Sequence, residues 1–546
     1  MFFLSFTFSA QAQYVIELNN DVANGEGSYS DVDPGDTVYI ETGSRGALII
    51  KNLHGTAEKP VIFVPSDEGI VRISGSSSYG VSIRNCTHVR LSGFQGQEDV
   101  YGIQISDLDH PSSVGVSVKD LSSYVEIDHI RISNTGFAGI VAKTEAVCGE
   151  PETYRGAFVQ RNTHIHHCHI YDTGGEGLYI GSTAFHGSES GDCGLIYPSV
   201  LEGVKIYNNL VERTKWDGIQ VSSAVMDCQI YNNSLIDCSS DMTSSQMSGI
   251  IIGGGTRADC FNNWIEDCYA TGILVFGDGG TRVFNNVIVR PAKRYFPDDP
   301  TKREYGIYLN DKTQHNKTFY GVFSNTIIQP KSDCIRISET VDFEVKLYNN
   351  LLVDPGAYEV YENDNTSREG PDAFIFMPRD NPLIKMAANA VLRSLLLPHF
   401  VSHSTDDYHL MENSQYIDAG RDLNDQPGLD FDFDGNIRPI GNNYDIGAYE
   451  YDFSEGLPAD TNNSPQLDVK VQNPGNGYVR IIFANDTKMD LQINILNSAG
   501  QMVRNISMQN YSPGRHHLDF YKLPDGIYFC IISGSKWVQS KKLVVH

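Results

Sequence analysis

Apolar and polar residues alternate along this chain in short runs, and turn residues cut the alternation again and again. The stretch KIYNNLVERTKWDGIQV (205–221) is followed by CQIYNNSLIDC (228–238), CFNNWIEDCYATGILV (260–275) and VFNNVIV (283–289). Period-two alternation bounded by Asn, Gly and Asp predicts short half-buried strands. The pair Asn-Asn recurs at Asn208-Asn209, Asn232-Asn233, Asn262-Asn263, Asn285-Asn286 and Asn349-Asn350, with Ser324-Asn325 in the same slot. Downstream of most pairs comes an X-Gly-Ile triplet: Asp217-Gly218-Ile219, Ser248-Gly249-Ile250, Thr271-Gly272-Ile273, Tyr305-Gly306-Ile307. A supersecondary unit repeated at this scale predicts a solenoid. Helical periodicity is absent between the strands, which excludes leucine-rich repeats. The expected fold is therefore all-β: a right-handed parallel β-helix with three short strands per coil.

Stacking turns such a sequence into columns. Aligned on the triplet, one column runs Tyr79, Tyr101, Ala138, Glu176, Asp217, Ser248, Thr271, Tyr305, Asp333. The asparagine column runs Ile130, Cys168, Asn209, Asn233, Asn263, Asn286, Asn325, Asn350. Asparagine tolerates left-handed backbone, and its amide can bond to the asparagine of the next coil. Longer loops at Thr144 to Gln160, Thr183 to Val200, Ser239 to Met247 and Pro291 to Glu304 are expected to frame a binding face.

The formal charge is -27 over 546 residues. That excludes nucleic acid as a partner, which requires a dense basic surface. One basic loop, with Arg290, Lys293, Arg294, Lys302 and Arg303, stands out against the acidic background. Met1 to Gln13, MFFLSFTFSAQAQ, ends its apolar run in Ala10-Gln11-Ala12 and reads as an export signal lacking its basic start. No later run reaches the ~20 apolar residues of a membrane span. Ten cysteines are present; Cys238 and Cys268 each follow an Asn-Asn pair by five residues, which predicts stacked thiols rather than a disulfide framework.

Column geometry selects the candidate chemistry. Glu176 and Asp217 fall in one slot of successive coils, and coils stack ~4.8 Å apart. Carboxylates that close split their pKa values, giving an acid beside a base or nucleophile. Tyr179, Gln220, Trp216, Lys215 and His186 lie near the pair and are expected substrate contacts, with Tyr179 and Gln220 pointing out of the sheet. The alternative is that both acids are turn residues. HIHHCHI (164–170) reads as one strand with His164 and His166 on one face and His167 and His169 on the other. Asp430, Asp432 and Asp434-Gly435 resemble the first half of a calcium loop, although Gly441 stands at the twelfth position. A structural calcium is the one cofactor expected; the catalytic reading requires none.

The coils resemble those of secreted pectate-lyase-like β-helix proteins, which implies the same fold over about Tyr14 to Tyr451. Acids before Gly-Leu and Gly-Ile resemble polygalacturonase-type hydrolases, but Ser248 holds a slot where that family carries histidine, and its Arg-Ile-Lys element is absent. Gly174-Gly175-Glu176 with Tyr179-Ile180-Gly181 resembles a segment of the chondroitinase B and alginate lyase family; Ser222-Ser223 stand where its lysine is sought, leaving Lys143 and Lys215 as substitutes. Asp434-Gly435, Arg438-Pro439 and Asp445 to Tyr451 resemble the closing segment of bacterial surface β-helix proteins. Asn473-Pro474 with Asn476-Gly477, Ala499-Gly500-Gln501, Leu523 to Tyr528 and Lys541 to Val545 resemble the type IX secretion sorting domain, which implies a small C-terminal β-sandwich read by that secretion machinery. The expected organisation is signal 1–12, β-helix 13–404, cap 405–453, linker 454–464 and sorting domain 465–546. The expected protein is a monomer, secreted or on the outer-membrane surface. It is expected to act on polysaccharide as a glycoside hydrolase using the Glu176 and Asp217 pair; the alternatives are a uronate lyase and a non-catalytic glycan binder.

Overall fold

The computed structural model describes residues 14–451 apart from 97–99, 242–246, 293–303, 311–315, 357–373 and 378–381, together with the strands between 468 and 545 without their connecting loops. The signal, the linker and Lys293, Arg294, Lys302 and Arg303 lie outside the described residues. The chain forms two compact units, one running to Asp425 and including Asn442–Tyr451, the other comprising Gln426–Gly441 and the residues from Asp452 onward.

Three long parallel sheets build the first unit among the described residues. The first has 13 strands, from Tyr14–Ile16 to Ile384–Ala387; the second has 12, from Gly43–Arg45 to Ala390–Leu392; the third has 12, from Val22–Asn24 to Ile375–Phe376. Each coil adds one strand to each sheet in parallel register, as Lys205–Tyr207, Leu210–Glu212 and Ile219–Val221 do. Inward residues such as Ile206, Val211, Ile219, Ile230, Leu235 and Ile250 are fully buried and form one continuous core. This is the expected β-helix.

The Asn-Asn corners join the first sheet to the second, and their two residues divide the work. The first takes the left-handed conformation, with φ of 55° at Asn208, 54° at Asn232, 53° at Asn262 and 52° at Asn285. The second carries the ladder. Asn209 Nδ2 donates to Asn233 Oδ1 at 2.9 Å, Asn233 to Asn263 at 3.0 Å, Asn263 to Asn286 at 3.0 Å and Asn286 to Asn325 at 3.0 Å. Each amide oxygen also accepts the backbone N–H of the preceding coil, and each amide nitrogen also donates to a carbonyl, so the buried ladder is fully bonded. Beside it, Tyr207, Tyr231, Phe261 and Phe284 stack with centroids 5.0, 5.0 and 4.9 Å apart.

The glycine of the triplet is dictated by space. A Cβ on Gly177 would stand 2.5 Å from both the Gly218 carbonyl oxygen and a methyl of core residue Val211. The same column corrects one alignment. Tyr101-Gly102 leads into Ile103–Leu108 of the second sheet, and the third-sheet partner of Tyr79 is Val114. Both sites show a residue-Gly-apolar or apolar-alternating pattern, which the sequence does not separate.

Two further expectations fail for physical reasons. HIHHCHI is a corner, not one strand: His164–His166 belongs to the first sheet, His169–Tyr171 to the second, and His167 between them has φ 52°. His166 and His167 are consequently buried. The long loops also carry a disulfide, Cys148–Cys193, which joins the first two insertions. The coil core needs no staple, but loops with little core of their own do. Eight other cysteines are buried thiols, and Cys238 and Cys268 share a column as expected.

In the second unit, Asp468–Gly475, Tyr478–Asn485 and Gly514–Phe520 form one antiparallel sheet. Met502–Tyr511, Met489–Asn497, Gly526–Gly534 and Trp537–Val545 form another, with Ile493, Ile495, Cys530 and Ile532 buried.

Candidate functional site

The candidate residues gather on the third sheet. Strands Ile140–Ala142, Leu178–Ile180 and Ile219–Val221 lie side by side, with Val141, Tyr179 and Gln220 in one outward column. Gly177 N–H donates to the Asp217 carbonyl at 2.9 Å, which places Glu176 and Asp217 in matching slots of successive coils. The sequence column brings these two acids together as expected.

Their burial is not what an outward catalytic pair requires. Both Glu176 and Asp217 are 0% exposed. Asp217 Oδ1 accepts the Ser248 N–H at 2.8 Å, while Asp217 Oδ2 and both Glu176 oxygens meet no partner. Burial pushes the Glu176 carboxyl up to about 7, with Lys143 pulling the other way. Burial, and then Glu176 itself, raises Asp217 well above the ordinary aspartate range. Phe137 packs edge-on against Trp216 at 5.5 Å and Tyr179 at 6.1 Å, forming an aromatic group beside the acids.

The surface group that joins this site is Lys143, one residue beyond strand Ile140–Ala142. Its ammonium lies 3.9 Å over the Tyr179 ring and 2.5 Å from Glu145 Oε1. Burial opposes its charge, but Tyr179 and Glu145 outweigh that and hold the lysine pKa above its ordinary value. Tyr179 OH lies 3.1 Å from Thr183 Oγ1, and Ser182 Oγ donates to Glu145 Oε2 at 2.7 Å. Lys143 was legible as a substitute lysine. Phe137 and Glu145 were not, because each acts from a turn whose position only the coil register fixes.

The remaining predicted contacts scatter. Trp216 is half-buried with its indole N–H unpartnered, and Gln220 is 5% exposed with Oε1 unpartnered. Gln220 does point out of the sheet but is covered. Lys215 is exposed, and its backbone N–H donates to the Thr173 carbonyl while its carbonyl accepts the Asp241 N–H. His186 is exposed and rests edge-on against Phe185 at 5.5 Å. Of the aspartates proposed for calcium, Asp430 is exposed. Asp432 is fully buried and spends both oxygens on Asn436, at 2.7 and 3.0 Å, closing its own loop.

A second concentration of charge lies on the first sheet. Glu126, Asp128 and His166 bring potential metal-ligand atoms within 4.8 Å of one another. Arg90 already fills the cation's place, with Nε 2.7 Å from Asp128 and 3.2 Å from Glu126. Ser92 and His129 complete the Asp128 shell at 2.6 Å each. Against its burial, His129, His166 and Arg90 keep Asp128 ionised, far below the ordinary range. This cluster is a self-neutralised network.

Comparison with known proteins agrees with the architecture. Residues 196–368 match the family model described as the right-handed beta helix region, and residues 473–546 match the secretion system C-terminal sorting domain. No curated protein matches the chain. Among solved structures, the chain is similar to the PL6 family alginate lyase AlyGC, with 15% identity and a TM-score of 0.39, over 70% of this chain and 52% of that one. The chain thus spans about half the length of that enzyme. It is also similar to the PL6 family polysaccharide lyase Pedsa3628 from Pseudopedobacter saltans, with 15% identity and a TM-score of 0.36, over 68% and 92% of the two chains. A GH87 alpha-1,3-glucanase catalytic domain gives 12% identity and 0.31, over 65% and 64%. Likenesses this weak leave the reaction open. The chain is a right-handed β-helix protein with a C-terminal sorting domain of the type IX secretion kind, and is thus directed to the cell surface or beyond. Among the described residues no helix is long and apolar enough to cross a membrane.

Proposed function

We propose that this is an exported polysaccharide-active protein that cleaves a uronate-containing chain by β-elimination at Lys143 and Tyr179. The observation that carries the reading is the division of the site by depth. Lys143 keeps 17% of its side chain exposed and Tyr179 is half-buried, while Glu176 and Asp217 present no surface at all. Hydrolysis by a carboxylate pair needs both acids in reach of the scissile bond and, for inversion, room for water between them.

Elimination asks for a cation and a proton carrier. Lys143 stays charged and so neutralises the uronate carboxylate as C5 becomes a carbanion. The Tyr179 hydroxyl oxygen takes the C5 proton as its own proton passes to solvent. The freed electron pair forms the C4–C5 double bond, the C4–O bond breaks, and the leaving oxygen takes a proton from Tyr179 or water.

A hydrolase remains the second reading because an acid at about 7, as in Glu176, fits a general acid at neutral pH. Digestion of a glycan panel, followed by the absorbance of unsaturated uronates and by reducing ends, separates the readings. Elimination predicts both signals, each lowered about 100-fold or more by Lys143→Ala and by Tyr179→Phe. Reducing ends without absorbance, abolished by Glu176→Gln, would establish the hydrolase. Glycan retention without any product would establish a binder.

A further inference from the structure

Five coils along from Tyr179, the outward column of the third sheet reaches Arg336, through Gln220, Ile251, Leu274 and Tyr308. At one coil per strand spacing that is about 24 Å along the axis. Gln220 and Ile251 are 5% and 2% exposed, so covered sheet separates the two places.

Arg336 differs from the ion-paired arginines of this acidic chain, although Arg131 over Tyr101 and Arg155 over Phe185 also rest on aromatic rings. Arg90, Arg213, Arg282 and Arg290 each hold carboxylates at 2.5–2.8 Å. Arg336 holds none among the described residues. Instead its guanidinium carbon lies 5.1 Å from the Tyr305 ring centroid, 5.3 Å from Tyr308 and 4.8 Å from Phe376, and its Nη1 donates to the Tyr305 hydroxyl. Asn310 Nδ2 donates to the Tyr308 hydroxyl at 3.2 Å. The Arg336 Nε–H is buried without an acceptor. Aromatic faces fix the plane of a guanidinium without consuming its forked donors, and a buried donor left unbonded is costly unless something else satisfies it.

We infer that Arg336, set among Tyr305, Tyr308 and Phe376, is a second saccharide site that takes the carboxylate or sulfate of an acidic sugar, apart from Lys143 and Tyr179. The guanidinium fork grips the oxyanion and the tyrosine rings contact the sugar. On a protein of net charge -27, this guanidinium supplies a local positive charge, with Asp333 and Glu304 the acids within electrostatic reach of Tyr305. The saccharide class rests on the proposed function; the oxyanion rests on the geometry of Arg336.

Calorimetric titration of the full chain carrying Tyr179→Phe tests the site without turnover. The ligands are uronate, sulfated neutral and plain neutral oligosaccharides of equal length. Arg336→Ala is expected to weaken the uronate or the sulfated ligand about tenfold or more, to leave the neutral one unchanged, and to be partly rescued by Arg336→Lys. The preferred anionic ligand identifies the oxyanion. Unchanged anionic binding in Arg336→Ala, equal losses on neutral chains, or no anionic binding by the parent would overturn the proposal. An unaltered thermal melt of the Arg336 variants separates these outcomes from misfolding. Arg336-dependent binding, with no unsaturated products from the same ligands incubated with the chain carrying Tyr179 intact, would refute the elimination reaction and leave this site standing.

Discussion

Two polar columns run through the same coils and treat their buried groups in opposite ways. In the asparagine column, from Asn209 to Asn350, every amide oxygen accepts and every amide nitrogen donates. In the acid column, Glu176 and Asp217 are as deeply buried, yet three of their four oxygens meet nothing. A column built for stability bonds its polar atoms; a buried group left unbonded costs stability and calls for another reason to be there. The Asn ladder holds the coils in register. The acid column is where the fold departs from that economy, beside the surface lysine and tyrosine to which we assign chemistry.

The contrast can be broken most forcefully at Asn263. Replacing it by Leu strands the Asn233 N–H and removes one acceptor of the Asn233 amide and one donor to the Ile230 carbonyl. The expected loss is more than about 3 kcal/mol, read by urea denaturation; an undiminished midpoint would mean that the ladder is not what holds the register.

Acidity separates the columns next. The Glu176 carboxyl ionises near 4.5 in the unfolded chain and near about 7 in the folded one. Folding therefore favours the protonated form. Stability is fully present below the unfolded value and declines as pH rises toward the folded one, by about 3 kcal/mol in total. Glu176→Gln should flatten that window, measured as denaturation midpoints across pH. A slope unchanged by the substitution would place the titration elsewhere.

The smallest expected effect is at Ser248, the next slot of the acid column. Its hydroxyl makes one bond, to the Met247 carbonyl at 2.7 Å, and its backbone N–H serves Asp217. Ser248→Ala should cost below about 1 kcal/mol by the same denaturation assay. A larger loss would show that the acid column is more tightly knit than its unbonded oxygens imply.

Much of this was readable in the residues because stacking converts spacing into proximity. The Asn-Asn interval located the corners, and the triplet placed Glu176 beside Asp217. What spacing does not carry is depth. Nothing in Asp217-Gly218-Ile219 distinguishes a carboxylate facing water from one turned under its own corner. The HIHHCHI corner escaped for a related reason: the left-handed turn at His167 is flanked by alternating His and apolar residues on both sides, so the run reads as a single strand. The loop disulfide escaped because the argument against staples was drawn from the coils, and Cys148 and Cys193 are not in them.

That disulfide also bears on how the other cysteines avoid mispairing. With ten cysteines in the chain, indiscriminate oxidation would allow a great many mispaired isomers. Eight of the thiols vanish into the folded chain and only one pair remains bonded in the insertions. Coil closure thus acts as a protecting group for the seven coil thiols, as the C-terminal sheet does for Cys530: if these cores assemble before oxidant arrives, a single pairing is left to make.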